Sequence, residues 1–385
     1  MHINVTSKLE CCGCTACALV CGKSAIAMKP DVLGFVYPVV DESLCVDCGK
    51  CVDVCQFHPN YKKYSDIAKL EVYGVRHKQE EELQYSQSGG ASWAIIQTFL
   101  DTGGAVYGAA FDTALYIKHQ RVTSIEDAVK FRGSKYVQSN VEGIFLSVRE
   151  DLKKGIKVLF FGTGCQIAGL KASIPLRWQE DLLTVDLVCH ATPSPAVWKA
   201  YVEYLQKKYK SDVKYAAFRD KRFGWHSHIE TIKLNEFDRP LERISFRKLF
   251  YDHVIVRPSC TECPFTCTQR VSDLTIADFW GWEKHYTEWN DNKGVNLLFI
   301  NTIKGKDFFE QLKSRVLYVE SSMDKCLQPQ LQGPISADLN TMQSASAVFE
   351  RGGYKALAYK YGDLNPVFRA KTALGAFLRK IKILK

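Results

Sequence analysis

Apolar and polar residues follow a repeated order between positions 71 and 209. Short apolar or alternating segments that favour strands lie at 71–78, 105–124, 157–164 and 184–189. Segments with apolar residues at helical spacing lie between them, at 91–104, 141–155 and 196–209. Strands that alternate with helices predict a parallel α/β unit, in which ligands bind at the carboxyl ends of the strands.

The pattern changes after residue 212. Alternating residues at 213–218 and 229–235 predict antiparallel strands around the polar turn 219–226. A helix at 244–255 and a strand, helix and strand from Val295 to Val319 complete the prediction. We therefore expect residues 70–345 to form an α/β domain with a largely parallel or mixed sheet.

Two cysteine runs with the spacing C-x2-C-x2-C-x3-C precede this domain. They comprise Cys11, Cys14, Cys17 and Cys21, then Cys45, Cys48, Cys51 and Cys55. In this pattern three thiolates hold one 4Fe–4S cluster, and the fourth ligates the other cluster. The predicted pairing is therefore crossed, with Cys55 joining Cys11, Cys14 and Cys17, and with Cys21 joining Cys45, Cys48 and Cys51. Residues 1–60 are predicted to be an α+β, ferredoxin-like dicluster domain.

Zinc and disulfides are the alternatives for these runs. Zinc ribbons pair two C-x2-C knuckles instead of repeating three cysteines in a row, and disulfides do not suit a reducing compartment. Cys12 is the spare thiol of the first run and is interpreted as a packed bystander. The polar segment 56–70, with Pro59, is the expected domain boundary.

Composition places the chain among soluble globular proteins. The 385 residues are 46% hydrophobic and 24% charged, and the fifteen cysteines in metal-type groups favour a reducing cytosol. The first ten residues lack the apolar core of a signal peptide, and no apolar stretch is long enough for a membrane span. Of the net charge of +9, most lies in residues 351–385, which hold nine Lys or Arg and one acid. A nearly neutral body argues against a nucleic-acid partner.

Six motifs occur in one order along the chain: SQSGG at 86–90, GSKYVQS at 133–139, FGTGCQIAGLK at 161–171, DLVCHATPSPAVWKAY at 186–201, FRDKRFGW at 218–225, and RPSCTECPFTC with SDLTIADFWG at 257–281. Through them residues 8–320 resemble the family of the coenzyme F420 hydrogenase and dehydrogenase beta subunit, with a ferredoxin module in front. Gly164 replaces a proline of the usual G-T-P-C-Q turn, Ala191 and Thr192 replace Gly-Val after the next cysteine, and Gly22 stands where such ferredoxin runs often have proline. None of these departures removes a ligand or a charge.

The resemblance implies redox cofactors more firmly than it implies a reaction. Family members carry FAD and 4Fe–4S centres, and some exchange hydride or electrons with the deazaflavin coenzyme. Bacterial members of similar layout are often associated with surface-polysaccharide gene clusters.

A third 4Fe–4S cluster is predicted in the second domain. Cys260, Cys263 and Cys189 supply three ligands, and either Cys267 or Cys165 supplies the fourth. Local spacing favours Cys267, whereas the resemblance points to Cys165. A zinc knuckle or packed thiols are the alternatives.

The resemblance assigns an FAD site to two of the motifs. Its phosphate end corresponds to Ser88, Gly89 and Gly90, and its pocket wall to Lys135, Tyr136 and Ser139. A diphosphate needs N–H donors and a cation, and Gln166 is a candidate donor to the flavin ring. The alternatives are a simple helix cap at 86–90 and a solvated surface charge at Lys135.

Candidate proton donors are His190, which follows a predicted cluster ligand, and Asp220 with Lys221 in the polar turn. Most single histidines are structural, which is the competing interpretation of His190.

The C-terminal tail, residues 350–385, is a basic segment that begins a predicted helix at Asn365 and Pro366. Its apolar stripe comprises Phe368, Leu374, Phe377, Leu378, Ile381 and Leu384, and its basic residues off that stripe include Arg369, Lys371, Arg379, Lys380 and Lys382. Such a helix lies on an anionic membrane surface or docks on a protein; both interpretations stay open.

The sequence predicts a cytoplasmic iron–sulfur flavoprotein oxidoreductase, with possible peripheral contact to the inner face of the membrane. It would pass electrons between its clusters and FAD and reduce or oxidise a small-molecule substrate or deazaflavin-type coenzyme, with a ferredoxin, deazaflavin or nicotinamide as its electron partner. Two alternatives remain: an electron-transfer subunit that docks on a partner oxidoreductase, and a scaffold with structural clusters in envelope polysaccharide assembly.

Overall fold

The computed structural model describes residues 1–59, 61, 71–235, 241–243 and 245–380. A small cysteine-rich module at the N-terminus is followed by a larger α/β body. The strands, in chain order, are β1 (Ile26–Pro30), β2 (Val36–Val40), β3 (Glu71–His77), β4 (Ala105–Phe111), β5 (Ile117–Val122), β6 (Val158–Thr163), β7 (Leu182–Leu187), β8 (Val213–Ala217), β9 (Glu230–Leu234), β10 (Leu241–Arg243), β11 (Leu274–Asp278), β12 (Asn296–Ile300) and β13 (Val316–Ser321).

The helices connect and cover these strands. They are α1 (Ala16–Val20), α2 (Lys50–Asp53), α3 (Glu80–Gln84), α4 (Ala91–Leu100), α5 (Ile125–Ala128), α6 (Ile144–Lys153), α7 (Gly164–Ser173), α8 (Pro195–Tyr209), α9 (Ser245–Tyr251), α10 (Ile303–Leu312), α11 (Leu339–Lys360) and α12 (Pro366–Lys380). In α8, Ser194 accepts a hydrogen bond from the backbone of Val197 and Pro195 occupies the first turn, an arrangement that favours helix initiation.

The body is built on an eight-stranded mixed sheet in the order β13-β3-β12-β11-β7-β6-β4-β5. Its centre is parallel, because β4, β6, β7 and β11 run in one direction. The remaining strands join antiparallel, β5 at one edge and β12, β3 and β13 at the other. This mixed sheet confirms the predicted fold class. A separate antiparallel sheet in the order β10-β9-β8 lies beside it.

Apolar side chains pack on both faces of the large sheet. One core joins α4 and α10 to the strands through residues such as Trp93, Phe99 and Phe309. Another joins α6 and α7 to β4 and β6, with Phe145, Phe160 and Leu170 fully buried. Covering both faces with helices is the usual arrangement for a parallel sheet, since its strands are apolar on both sides.

The N-terminal module consists of the antiparallel β1–β2 hairpin and two short cysteine-bearing helices. Its hairpin turn docks on the start of α8, where the Leu33 carbonyl accepts hydrogen bonds from the Ser194 hydroxyl at 2.5 Å and the Ala196 backbone at 3.1 Å. Helix α1 and the preceding Cys14 pack on α7, where a Cβ on Gly169 would lie 2.7 Å from Cys14 Sγ and 3.5 Å from Ala16 Cβ. The module is therefore in direct contact with the body.

Two sequence predictions, the domain boundary at 56–70 and the C-terminal tail, concern segments that are only partly described by the structure. Of the expected boundary at 56–70, residues 60 and 62–70 lie outside the described residues. In the tail, α12 forms as predicted and Leu374 is exposed, but the side chains of residues 375–380 and all of 381–385 lie outside them, including Phe377, Leu378, Ile381 and Leu384. Within the described part of the chain, no helix combines the length and apolar character needed to cross a bilayer.

Candidate redox centre

The first predicted cluster site brings Cys11, Cys14, Cys17 and Cys55 together. Burial raises the pKa of the Cys17 thiol, and the neighbouring thiolates of Cys14, Cys11 and Cys55 raise it further. Burial is also the main cause that raises the pKa of Cys55 to about 11, with contributions from Cys14 and Cys11. Mutual repulsion among four thiolates is expected where a metal centre compensates their charge. We call this group the Cys11 site.

The second predicted site lies nearer the surface. Cys48 is exposed and Cys51 is buried, and the thiols of Cys21 and Cys51 accept backbone hydrogen bonds from Ala25 at 3.3 Å and from Ile3 at 3.2 Å. Cys17, Cys21 and Cys51 border the same small apolar cluster, so the two sites are neighbours. Backbone donors to cysteine sulfur are typical of iron–sulfur sites, where they adjust the reduction potential. We call Cys21, Cys45, Cys48 and Cys51 the Cys45 site.

Four cysteines of the body converge at one end of the parallel strands. Cys165 begins α7 after β6, Cys189 follows β7, and Cys260 and Cys263 lie in the turn after Arg257. Burial raises the pKa of Cys189, and repulsion from Cys260, Cys165 and Cys263 raises it further. The same causes, burial followed by Cys165, raise the pKa of Cys263 to about 12. We call these four residues the Cys165 site.

Cys267 does not join this group. Its thiol lies 3.2 Å from the backbone carbonyl of Gln269 and 3.6 Å from that of Pro264, within its own turn. Local spacing preferred Cys267, whereas this geometry favours Cys165 as the fourth member. The residues that approach Cys260 come from strand ends far away in the sequence, which local spacing does not report.

A cavity of about 350 Å³ opens beside the Cys165 site, at the carboxyl ends of the central strands. This volume is within the ordinary range for cofactor pockets. Its walls include most of the predicted FAD and catalytic residues, namely Ser88, Gly90, Lys135, Tyr136, Ser139, Gln166 and His190, together with the cysteine Cys189.

Gly89 supports the cavity without lining it. A Cβ at this position would lie 2.4 Å from the Val75 carbonyl oxygen and 2.7 Å from the Asn296 backbone nitrogen. Gly90 follows with φ +81°, a conformation that glycine adopts readily, and begins α4 without a side-chain cap. The Ser88 hydroxyl donates to the Val295 carbonyl at 2.9 Å. These contacts fix the SQSGG loop so that the start of α4 faces the cavity.

Three polar donors on this side of the cavity have no hydrogen-bond partner among the residues that the structure describes. They are Gln87 Nε2, Trp93 Nε1 and Arg132 Nε, all buried. Arg132 stacks on the Trp93 ring at 3.8 Å and pairs with Glu82. Buried donors without partners fit an anionic ligand, and a helix start adds further N–H groups. Arg132 directly precedes the GSKYVQS motif, but nothing in the sequence singled out Trp93.

Lys135 and Tyr136 form another wall. The Lys135 ammonium donates to the carbonyls of Lys130 and Arg132, both at 2.9 Å, and burial lowers its pKa to about 7. Tyr136 stacks on Phe250 with ring centroids 5.5 Å apart. Lys135 is thus held by backbone carbonyls at the cavity instead of being a solvated surface charge.

Ser139 and Gln166 belong to a fixed hydrogen-bond chain. Gln166 Nε2 donates to the Ser139 hydroxyl at 3.2 Å, and Ser139 Oγ lies 2.9 Å from His119 Nδ1. His119 in turn bonds the Phe161 carbonyl, and burial lowers its pKa to about 4. A neutral His119 therefore orients Ser139, a role that the sequence gave no signal for.

The three catalytic candidates separate in the structure. His190 lines the cavity, with its Nε2 atom 2.8 Å from His253 Nε2 and its Nδ1 atom 3.0 Å from Gln330. Burial, aided by His253, lowers its pKa to about 4, so the imidazole is neutral at pH 7. Among the described residues, the cavity walls include neither Asp220 nor Lys221.

Asp220 and Lys221 instead support neighbouring loops. Asp220 pairs with Arg222 and accepts from the Thr231 hydroxyl at 2.7 Å. Lys221 donates to the Ser88 carbonyl at 3.1 Å, and burial lowers its pKa to about 8. The neighbouring Arg219, paired with Asp278, is the residue of this turn that lines the cavity. A polar turn does not reveal which of its side chains faces inward.

Two segments of the chain match known protein families. Residues 155–325 match the family described as coenzyme F420 hydrogenase/dehydrogenase, C terminus of the beta subunit. The match covers less than half of the chain. Residues 38–58 match a 4Fe–4S binding domain, which supports 4Fe–4S binding at the N-terminus. The family resemblance that the motifs indicated is confirmed, and the region that matches the family contains all four cysteines of the Cys165 site.

A solved structure is also similar to this chain. It is the F420-reducing NiFe hydrogenase complex from Methanosarcina barkeri, studied by xenon derivatization, with 14% identity and a TM-score of 0.47. The alignment covers 76% of this chain and 96% of that chain. Comparison with curated proteins gave no match.

Proposed function

We propose that this protein is an iron–sulfur flavoprotein oxidoreductase with three 4Fe–4S clusters and FAD, which reduces or oxidises a small molecule or a deazaflavin-type coenzyme. One observation carries the proposal. Cys189 interacts with the other three cysteines of the Cys165 site and also lines the cavity where the FAD motifs converge. A metal centre and a flavin pocket would therefore share a wall.

The cysteine groups fit iron–sulfur clusters in number and surroundings. The proposal assigns twelve cysteines to three groups of four, and all twelve are free thiols in the structure. Backbone N–H groups point at Cys11, Cys21 and Cys51 sulfurs at 3.2–3.3 Å. A structural zinc site needs four ligands, usually from two C-x2-C knuckles. Such a site does not account for the repeated C-x2-C-x2-C-x3-C spacing of the N-terminal module.

The cavity residues fit FAD in their chemistry. Gln87, Trp93 and Arg132 offer unpartnered donors beside the start of α4, which suits a diphosphate. Tyr136 and Phe250 provide flat apolar surface, and the Ser139–Gln166 chain provides fixed polar groups. When bound, FAD accepts single electrons and exchanges a hydride.

The chain's own groups restrict how protons reach the cavity. His190 is neutral at pH 7, and its hydrogen bond to His253 links the cavity wall to a residue that contacts the Ser336 carbonyl at 3.0 Å. We propose that His190 orients the bound substrate or cofactor as a neutral imidazole. Asp220 and Lys221 are not part of this proposal, since neither is among the described residues that line the cavity.

Anaerobic purification followed by iron, sulfide and flavin analysis tests the proposed function. About twelve irons with one FAD per chain are expected for three clusters and one flavin. About eight irons without flavin would overturn the proposal and leave a two-cluster electron carrier. Reduction of a deazaflavin or another small molecule would then be screened only on protein with the full cofactor content.

A second candidate, an electron-transfer subunit that docks on a partner oxidoreductase, is favoured by the surface of the Cys45 site. Cys48 is exposed, and the apolar side chains of Leu44 and Val46 beside it are 50% and 60% exposed. Such apolar residues beside a redox centre suit transient docking. Replacing both by lysine is expected to slow reduction by a protein donor while leaving reduction by dithionite unchanged; equal slowing with both donors would count against it.

A further inference from the structure

Arg257 occupies the boundary between the N-terminal module and the body. Its side chain is only 1% exposed. The guanidinium donates to the Cys11 carbonyl at 2.7 Å, the Val36 carbonyl at 2.8 Å and the Gln138 side-chain oxygen at 3.0 Å. In sequence it stands three residues before Cys260, and its own carbonyl accepts from the Cys260 backbone at 3.0 Å. One residue thus contacts the Cys11 site with its side chain and the Cys165 site with its backbone.

The positive charge of Arg257 has no carboxylate partner among the described residues. Comparably buried arginines elsewhere in that part of the chain are each paired with an acid, as Arg270 is with Asp186 at 2.5 Å. A buried charge without a counter-charge is strongly unfavourable. The guanidinium lies over the rings of Tyr37 and Phe35, with its carbon 4.5 Å and 5.3 Å from their centroids, and Cys11 beside it would become a thiolate on holding a cluster. Its Nη2 atom lies 3.7 Å from Cys11 Sγ.

The charge reaches both sites. The guanidinium lies 3.7 Å from Cys11 Sγ, and the backbone carbonyl of Arg257 accepts from the Cys260 backbone at 3.0 Å. Four thiolates outweigh the charge of an iron–sulfur core, so each loaded site is anionic and becomes more so on reduction. A fixed cation between two such sites therefore stabilises the reduced form of each.

The surrounding side chains hold the two sites at a fixed separation. Gln56 Nε2 donates to Cys12 Sγ and to the Cys165 carbonyl, both at 2.8 Å. Gln138 Nε2 donates to the Cys12 carbonyl at 2.8 Å, and its side-chain oxygen accepts from Arg257. Gly13 leaves room for the guanidinium, since a Cβ there would lie 2.7 Å from Nη1. Cys12, interpreted from the sequence as a bystander, is thus a buried member of this bridge.

We propose that Arg257 is a positioning residue that joins the Cys11 and Cys165 sites and raises the reduction potentials of the clusters held by both. The inference rests on the proposed function, because it needs clusters at both sites. It extends that function by proposing that the buried charge of Arg257 sets the reduction potentials of both the Cys11 cluster and the Cys165 cluster. The Cys45 site, whose near neighbours include Asp47 and His2, lies outside this influence and serves as an internal reference.

The test is a potentiometric titration followed by electron paramagnetic resonance on the full chain with its clusters loaded anaerobically. In Arg257→Gln, two of the three midpoint potentials are expected to fall, each enough to change the oxidised-to-reduced ratio at least tenfold, which is about 59 mV for a one-electron couple. The third midpoint is expected to stay unchanged. Arg257→Lys keeps the charge and is expected to restore most of the shift. Arg315→Gln removes the same charge from an exposed pair with Asp101 and is expected to leave all three unchanged.

Unchanged potentials in a fully loaded Arg257→Gln protein would overturn the inference, as would equal shifts of all three. If that variant does not hold its clusters, Gln138→Glu places a carboxylate beside the retained arginine and is expected to lower the same two potentials. Unchanged potentials in Gln138→Glu would then overturn it. Failure of the proposed function is separate: wild-type protein would lack about four irons or the flavin, whatever the arginine variants do.

Discussion

The two cysteine regions of the molecule are built in opposite ways. The Cys11 and Cys45 sites draw all their ligands from residues 11–55, on short helices and turns of one module. The Cys165 site draws its four cysteines from residues 165–263, which the sheet brings together from the ends of β6 and β7 and from the turn after Arg257. The first arrangement depends on local spacing, whereas the second depends on the whole body being folded.

The two regions also differ in their electrostatic surroundings. The Cys45 site is near the surface, beside Asp47 and the exposed Cys48. The Cys165 site is partly buried and has two arginines near it, Arg257 and the Asp186-paired Arg270. Positive charge favours the reduced form of a cluster and negative charge opposes it. The reduction potential is therefore expected to rise from the surface toward the cavity.

The largest expected effect distinguishes Cys165 from Cys267 as the fourth cysteine of the third cluster. Cys165→Ser is expected to lose the third cluster, about four of about twelve irons, while the two N-terminal clusters remain. Cys267→Ser, the matched control, is expected to keep all of them, because its thiol bonds only carbonyls of its own turn. Iron and sulfide analysis decides this, and the reverse result would restore the local-spacing interpretation.

The next largest effect concerns the affinity for FAD at the side of the cavity that Arg132 lines. Arg132→Gln is expected to weaken FAD binding by roughly 10- to 100-fold, because a hydrogen bond to a charged group contributes about 1.5–3 kcal/mol. Flavin fluorescence titration of the apoprotein measures it. Arg315→Gln is the control, since this exposed arginine lies away from the cavity. Equal affinity in wild type and Arg132→Gln would remove Arg132 from the site.

The contact between the two regions can be tested at Gly169. Gly169→Val places side-chain atoms against Cys14 Sγ and is expected to lower the free energy of unfolding by about 1–3 kcal/mol through overpacking. Gly22→Ala is the control, because a Cβ at Gly22 has no neighbouring atom within 4 Å. Urea denaturation measures both. Unchanged stability in Gly169→Val would mean that the module is not packed on α7.

The last prediction concerns pH. Burial lowers the pKa of Lys135 to about 7, whereas an unfolded lysine titrates at about 10.4. Between these values the unfolded chain binds the extra proton, so the Lys135 contribution makes the apoprotein more stable as pH rises. In Lys135→Met this rise of stability with pH is expected to disappear. In Lys118→Met, which changes an exposed lysine, the rise is expected to remain. Parallel stability–pH curves for wild type and Lys135→Met would contradict the lowered pKa of Lys135.

The sequence alone determined the features that depend on neighbours along the chain. Cysteine spacing predicted the N-terminal sites, and hydrophobic periodicity predicted β3, α4 and the strand, helix and strand from β12 to β13. The motifs predicted the family resemblance, and seven residues that they singled out line the cavity. Each of these signals is contained within a short segment.

The tertiary structure decided what distant segments do to each other. It selected Cys165 over Cys267, turned Arg219 instead of Lys221 toward the cavity, and placed Trp93 and His119 in its walls. It also buried Arg257 beside Cys11, although the two are 246 positions apart. No local pattern encodes such contacts, because they follow from the order of strands in the sheet and from the docking of the module on α7 and α8.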